Sequence, residues 1–225
     1  ISRSVRDCIV LDQLMLGQIQ SNIPPQPQSK NMQIYVDLDM LNHPSVQDCV
    51  KHNFLQTIEI LQQAEIRVVH KRIGAFNQAQ TLIDSGQWLG AAEAYTLHEA
   101  LLHSDQAELM DQRVRKRLLS AKDTLASSQI HLYQMAQHLK ASLKTELAEG
   151  FLLTPTTAHT APELAPLEAD EVLFIQTNLM PSISLPNGTD SNGRPTGILL
   201  SSYSGNDQSL LSVALSIEHI LHNND

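Results

Sequence analysis

An α/β fold interrupted by a long helical insert is what this sequence predicts, and three observations carry that prediction. Residues 32–70 run as a β-branched segment, an amphipathic helix and a second β-branched segment, the order of a parallel crossover unit. From Ala75 to Glu149 there is no proline, the only glycines are Gly86 and Gly90, and apolar residues recur at three and four. After residue 150, short apolar runs alternate with proline and glycine and end in a leucine-rich amphipathic segment.

Taken in order, VRDCIVLDQLMLG sets Val5, Cys8, Ile9, Leu11, Leu14 and Met15 close to one helix face, and Gly17 is a stop. Arg3 and Asp7 are four apart there, which predicts a salt bridge or a hydrogen bond to a loop. Residues 20–31 are a Pro-rich, polar connector. MQIYVDLDML alternates Ile34 and Val36 as a strand would. The stripe Val46, Cys49, Val50, Phe54, Ile58 and Leu61 predicts a helix, and EIRVVH a second strand.

Three or four helices are expected in the insert, residues 70–149. Residues 150–225 then supply the last strands and a closing helix: Leu152–Thr154, LFIQT at 173–177 as a helix end or strand, ISLP, and GILLSSY at 197–203. The closing helix, 207–221, takes Asn206 or Asp207 as its cap and turns Leu210, Leu211, Ala214, Ile217 and Leu221 inward.

Composition narrows the function classes. A net charge of -9 opposes a surface built to neutralise phosphates, so no nucleic-acid partner is expected. The basic patch Arg113, Arg115, Lys116 and Arg117 reads as a charged helix face. No apolar run reaches the roughly 18 residues of a membrane span, and no signal segment opens the chain, so no membrane association and a cytoplasmic location are expected. The chain opens on Ile1 inside a helical pattern, which leads us to expect a piece of something longer.

The residues by themselves do not assemble a catalytic centre. His98 and His103 are five apart and fall on different helix faces, and His159 has no neighbouring ligand at a useful spacing, so no metal and no cofactor are expected. Cys8 and Cys49 sit in apolar helical patterns without basic company to activate a thiol. Ser120 with Lys122 and Ser142 with Lys144 are separated around their helix axes, which works against proton transfer within either pair. What stands out is LLTPTTAHTAPEL, 152–164: an apolar strand that stops at Pro155 in a hydroxyl-rich loop, one way to place polar groups at a pocket edge.

Four stretches in order carry a resemblance. ISRSVRDCIVLDQLMLG, AAEAYTLHEALL, LLTPTTAHTAPEL, and TNLMPSISLPNG followed by GRPTGILLSSYSGNDQSLLSVALSIEHIL resemble the amidase signature family of serine hydrolases, from Ser2 to Leu221. The last block is the most specific: P-x-x-S-x-P-x-G, a turn, G-x-P-x-G, an apolar strand, G-x-D and a helix ending in I-E-x-x-L.

The resemblance implies an incomplete single amidase-like domain over 1–225: the C-terminal part of that fold, a mixed β-sheet flanked by helices with a helical insert. It implies hydrolysis of a carboxamide C–N bond by a lysine, a bridging serine and a nucleophilic serine. No position here matches those three, so no catalytic residue is assigned in this chain.

A small-molecule amide substrate is implied, and an upstream amidase core as partner, in cis or as a separate chain; a homodimer is a further expectation. Substrate-binding positions by resemblance are Thr154, Pro155 and Thr156, Asn178 across from them, and Glu93 and Tyr95 of A-E-A-Y. Asn178 lies about two residues nearer the following proline than the family has it. The alternative is a non-catalytic interaction subunit, or a small-amide binding module derived from an amidase. Tyr95 also reads as core packing, and Pro181, Pro186, Gly188, Gly193 and Gly197 as turn chemistry.

Overall fold

A computed structural model describes residues 1–17, 23–86, 88–161 and 179–223. Its helices are α1 (Val5–Met15), α2 (Asp48–Gln63), α3 (Gly74–Asp84), α4 (Ala91–Leu102), α5 (Gln112–Ser120), α6 (Ala126–Glu146) and α7 (Asp207–His222). Its strands are β1 (Gln33–Val36), β2 (Arg67–His70), β3 (Phe151–Pro155), β4 (Ser182–Thr189) and β5 (Pro195–Ser201).

The strands form one mixed sheet in the order β2-β1-β3-β5-β4. β1 runs parallel to β2 and to β3, with Val36 opposite His70 and Leu153. β3 and β5 are antiparallel, as are β5 and β4. Ile34, Val36, Leu152, Leu153, Ile198 and Leu200 are fully buried, so the middle strands are covered on both faces and need near-continuous apolar runs. The edge strands β2 and β4 are more exposed, which accounts for their polar composition.

α2 and α7 pack on each other and over the β4–β5 side of the sheet, and α1 packs on α7. Phe54, Ile58 and Leu61 of α2 enter the same core as Leu210, Ala214 and Ile217 of α7. α3 and α6 pair, adding Phe76, Leu139 and Leu143 to that core. Glu146, at the end of α6, accepts from the Gly74 and Ala75 N–H groups at 2.7 and 3.1 Å, filling the first turn of α3 with negative charge.

A buried polar ring locks α2 to β4 and β5. The Asn53 amide donates to Thr196 Oγ1 (2.9 Å), Thr196 donates to Asn187 Oδ1 (2.9 Å), the Asn187 amide donates to Thr57 Oγ1 (3.0 Å), and Thr57 donates to the Asn53 carbonyl (2.8 Å). Every member both gives and receives, the condition under which buried polar groups are tolerated. The ring requires the register shift between Pro186 and Gly188. Gly188 has φ +151, and a Cβ there would meet the Asn53 side chain at 2.7 Å.

Several sequence expectations are refined. Among the described residues no ion pair joins Arg3 and Asp7; Ser4 Oγ caps α1 on the Asp7 N–H, and Glu218 of α7 accepts from the Val5 N–H at 2.9 Å. Asn206 holds the cap position of α7, yet its amide donates to Ser202 Oγ (2.9 Å) instead of the helix. Gly188 and Gly197 are strand residues, not turn residues, while Gly193 does sit in the β4–β5 turn with φ +75. LFIQT lies outside the described residues.

Gly150 enters β3 where a Cβ would stand 2.7 Å from the Gln33 carbonyl oxygen and 2.8 Å from the Tyr35 ring. Gly150→Ala is therefore expected to cost about 1–3 kcal/mol by overpacking, or roughly 2–10 °C in Tm. Gly74→Ala, with only an ordinary contact at 3.7 Å to Glu146, is expected to leave Tm unchanged or slightly raised. Thermal unfolding followed by circular dichroism checks both.

Candidate functional site

The hydroxyl-rich loop leaves the carboxyl end of β3, the end at which open α/β sheets present ligand sites. Thr154 is buried on the strand opposite Leu199, and Pro155 lies opposite Ile198. The Thr156 N–H continues the ladder by donating to the Gly197 carbonyl at 2.9 Å. Beyond that point Thr156 Oγ1 meets Ser184 Oγ of β4 at 2.7 Å, across the top of β5.

Gly197 makes this meeting possible. A Cβ at that position would stand 3.0 Å from Thr156 Oγ1 and 3.3 Å from Ser184 Oγ, so a side chain on β5 would push the two hydroxyls apart. The second glycine of G-x-P-x-G thus serves a close approach of neighbouring strands. The hydroxyl pair is open to solvent.

Two side chains distant in sequence clamp the rest of the loop. Gln47, at the N-terminus of α2, donates its N–H to the Ala158 carbonyl (2.8 Å) and accepts from the Thr160 N–H (3.1 Å). Asp190, in the β4–β5 turn, accepts from Thr160 Oγ1 (3.2 Å), the Arg194 Nε (2.8 Å), and the Asn192 and Arg194 N–H groups (2.8 and 2.9 Å). Arg194 then donates to the Ala161 carbonyl at 3.3 Å. The Arg194 backbone N–H is the main cause that holds the Asp190 carboxyl below its ordinary range, with the Asn192 N–H and the guanidinium adding to it.

Of the sequence-predicted positions, Thr154, Pro155 and Thr156 are brought together, and Asn178 lies outside the described residues. Glu93 and Tyr95 sit elsewhere, on α4. Glu93 accepts from the Tyr133 hydroxyl of α6, while Tyr95 is half-buried and donates to Glu99 at 3.2 Å, with His103 Nε2 at 3.4 Å. Sequence reasoning missed Gln47, whose partner Thr160 lies 113 positions away, and Asp190 with Arg194, whose four-residue spacing was a local signal for the turn but not for the contacts to Thr160 and Ala161, 30 and 33 positions away.

Chemically, the corner offers hydroxyls that can donate to or accept from a polar ligand on a rigid edge. In the described hydrogen bonds, neither Thr156 Oγ1 nor Ser184 Oγ is joined to a histidine, lysine or carboxylate, the partner a nucleophilic hydroxyl needs. Among the described residues, no group of three or more His, Cys, Asp or Glu is placed to hold a metal, and no helix is long and apolar enough to cross a membrane. A cavity of about 550 Å³ lies at the opposite end of the sheet, walled by Pro24, Pro25, Gln33, Gly150, Phe151 and Tyr203.

Comparison with known proteins gives a consistent picture. The family model described as Amidase matches residues 1–211. A glutamyl-tRNA(Gln) amidotransferase subunit from Wolinella succinogenes is 26% identical over 201 residues, covering 76% of this chain and 44% of that protein. The protein of the same name from Synechococcus sp. is 34% identical over 140 residues, 55% of this chain and 28% of that protein.

Among solved structures, an amidase superimposes with a TM-score of 0.77 at 22% identity, over 98% of this chain and 52% of that one. A bacterial aryl acylamidase of the amidase signature family gives 0.70 at 16% identity, over 97% and 52%. The chain spans less than half the length of these curated relatives and about half that of the solved amidases.

Because the Asp190 carboxyl is held below the usual range, its contribution to loop order is present above the unfolded value near pH 4 and is lost as pH falls through the folded value. Amide protection at residues 156–161, measured against the unstructured rate at each pH, is expected to fall on acidification below about pH 4. Asp190→Asn is expected to lower that protection at neutral pH as well and to flatten its acid limb.

Proposed function

The chain belongs to the amidase signature family, and on that premise we propose that it forms the substrate-pocket and scaffold portion of a hydrolase that cleaves a carboxamide C–N bond. The observation that carries the reading is the Thr156–Ser184 corner: two family motifs distant in sequence converge on one clamped, solvent-facing edge at the carboxyl end of β3. Its hydroxyls can orient an amide through its carbonyl or N–H, while Pro155 and the Asp190 clamp hold the edge fixed. In this reading Asn178, Glu93 and Tyr95 belong to the substrate-binding set by family resemblance.

The chemical step belongs to residues beyond this chain: a nucleophilic serine, a bridging serine and a lysine, supplied by an upstream amidase core in the same polypeptide or as a separate chain. That two curated relatives are named as amidotransferase subunits supports the involvement of a partner chain. A homodimer and a cytoplasmic location belong to the same reading. So do the apolar side chains of α1 left on the surface, since Leu14, Met15 and Leu16 are more than half exposed and give such a core something to cover.

Produced alone, residues 1–225 are expected to aggregate at high concentration and to release no ammonia from acetamide, benzamide or glutamine. The protein in which they are joined to the remaining part of an amidase is expected to release ammonia from the carboxamide it cleaves. In that protein Thr156→Val is expected to lower kcat/KM about 5–100-fold, the effect of losing one hydrogen bond to a bound polar group. Ammonia release by residues 1–225 alone, above a heat-treated control, would overturn the scaffold reading.

A further inference from the structure

The helices between α3 and α6 keep a core of their own. Ala91, Leu102, Ala107, Leu118 and Ala121 are buried, yet none belongs to the continuous core that unites the sheet with α1, α2, α3, α6 and α7. α4 packs on α5 and on the short 3-10 segment Asp105–Leu109, and α5 packs back on α4. Arg117 of α5 stacks over the Trp88 ring at 4.9 Å, closing this small unit at the point where the chain enters it.

The unit is tied to the main body by two side-chain hydrogen bonds and by Leu89, a partly buried side chain packed against the main core. Gln129 of α6 donates to the Leu89 carbonyl, and Tyr133 of α6 donates to the Glu93 carboxylate. The fit there is imperfect: Gln129 Oε1 is buried without a described hydrogen-bond partner, which makes separation cheaper than for a satisfied interface. Both connections suit a pivot. Gly86, at φ +78 with nothing within 4 Å of its Cβ position, precedes the unit, and the turn Lys122–Leu125 follows it.

We propose that residues 88–121 form a cap that opens and refolds as a cooperative unit of its own between these two connections, latched to α6 by Tyr133 and Gln129. A helical hairpin with its own core can separate and unfold without taking the sheet with it, and doing so breaks two polar ties and uncovers Leu89 from the main core. Opening frees the α6 face that carries Gln129 and Tyr133. The cap stands independently of the hydrolase reading above.

Hydrogen exchange at peptide resolution, on the intact protein containing residues 1–225, tests this with two variants. Leu118→Ala empties the cap's own core and is expected to lower protection across 91–120 by about 30-fold or more. α2, β1 and β3 are expected to stay within about threefold of the parent, the spread of a distant substitution. Tyr133→Phe removes a latch bond and is expected to lower protection across the same block about 2–10-fold. Loss of protection shared equally by α2, β1 and β3, or failure of the Leu118→Ala protein to fold, would overturn the cap, because both would show one cooperative unit.

Discussion

The structure depends on the double pairing of β3. On one side it runs parallel to β1, which brings in β2 through the α2 crossover; on the other it runs antiparallel to β5, which brings in β4 through a tight turn. A strand paired on both edges and covered on both faces must be apolar and short of side-chain conflict. Leu152 and Leu153 provide the first, and Gly150 provides the second by letting the chain pass the Tyr35 ring. β3 ends at Pro155, Thr156 adds one last ladder bond to Gly197, and the hydroxyl-rich loop is thereby placed at the carboxyl end of β3.

The site follows from two absences of side chain. Gly197 opens the space above β5 through which Thr156 and Ser184 meet, and Gly188 lets the bulge of β4 accept Asn53 from α2. One glycine thus shapes the candidate pocket edge, and the other fixes the helix that carries Gln47 to the loop. Stability and site geometry are set by the same hairpin, so variants of β4 and β5 will rarely affect only one of them.

Much of the fold was legible in the sequence for plain physical reasons. The apolar run 197–203 and the stripe on α2 each reflect a burial pattern that a local window captures, and Ile34 and Val36 marked β1 as a strand although Tyr35 between them is buried as well. The length of β4 was not legible, because the strand continues through Pro186 and a bulge that only the ring of Asn53, Thr57, Asn187 and Thr196 explains. The Arg3 and Asp7 spacing suggested a salt bridge or a hydrogen bond to a loop; the helix start is met by the nearer Ser4 hydroxyl and the distant Glu218 carboxylate. Of the candidate site, the turn at Pro155 was legible as the end of an apolar strand, whereas Gln47 reaches the loop only through tertiary contact and Asp190 adds Thr160 to its local partners Asn192 and Arg194. Glu93 pairs with Tyr133, a partner that no spacing rule within one helix identifies.

The central claim is that this chain shapes an amidase pocket whose nucleophile lies elsewhere. The most direct measurement is labelling of the intact protein with a fluorophosphonate serine probe, followed by peptide mapping of the modified residue. The account predicts a modified serine outside residues 1–225. A label on Ser184, Ser182, Ser201 or any other serine within them would contradict it.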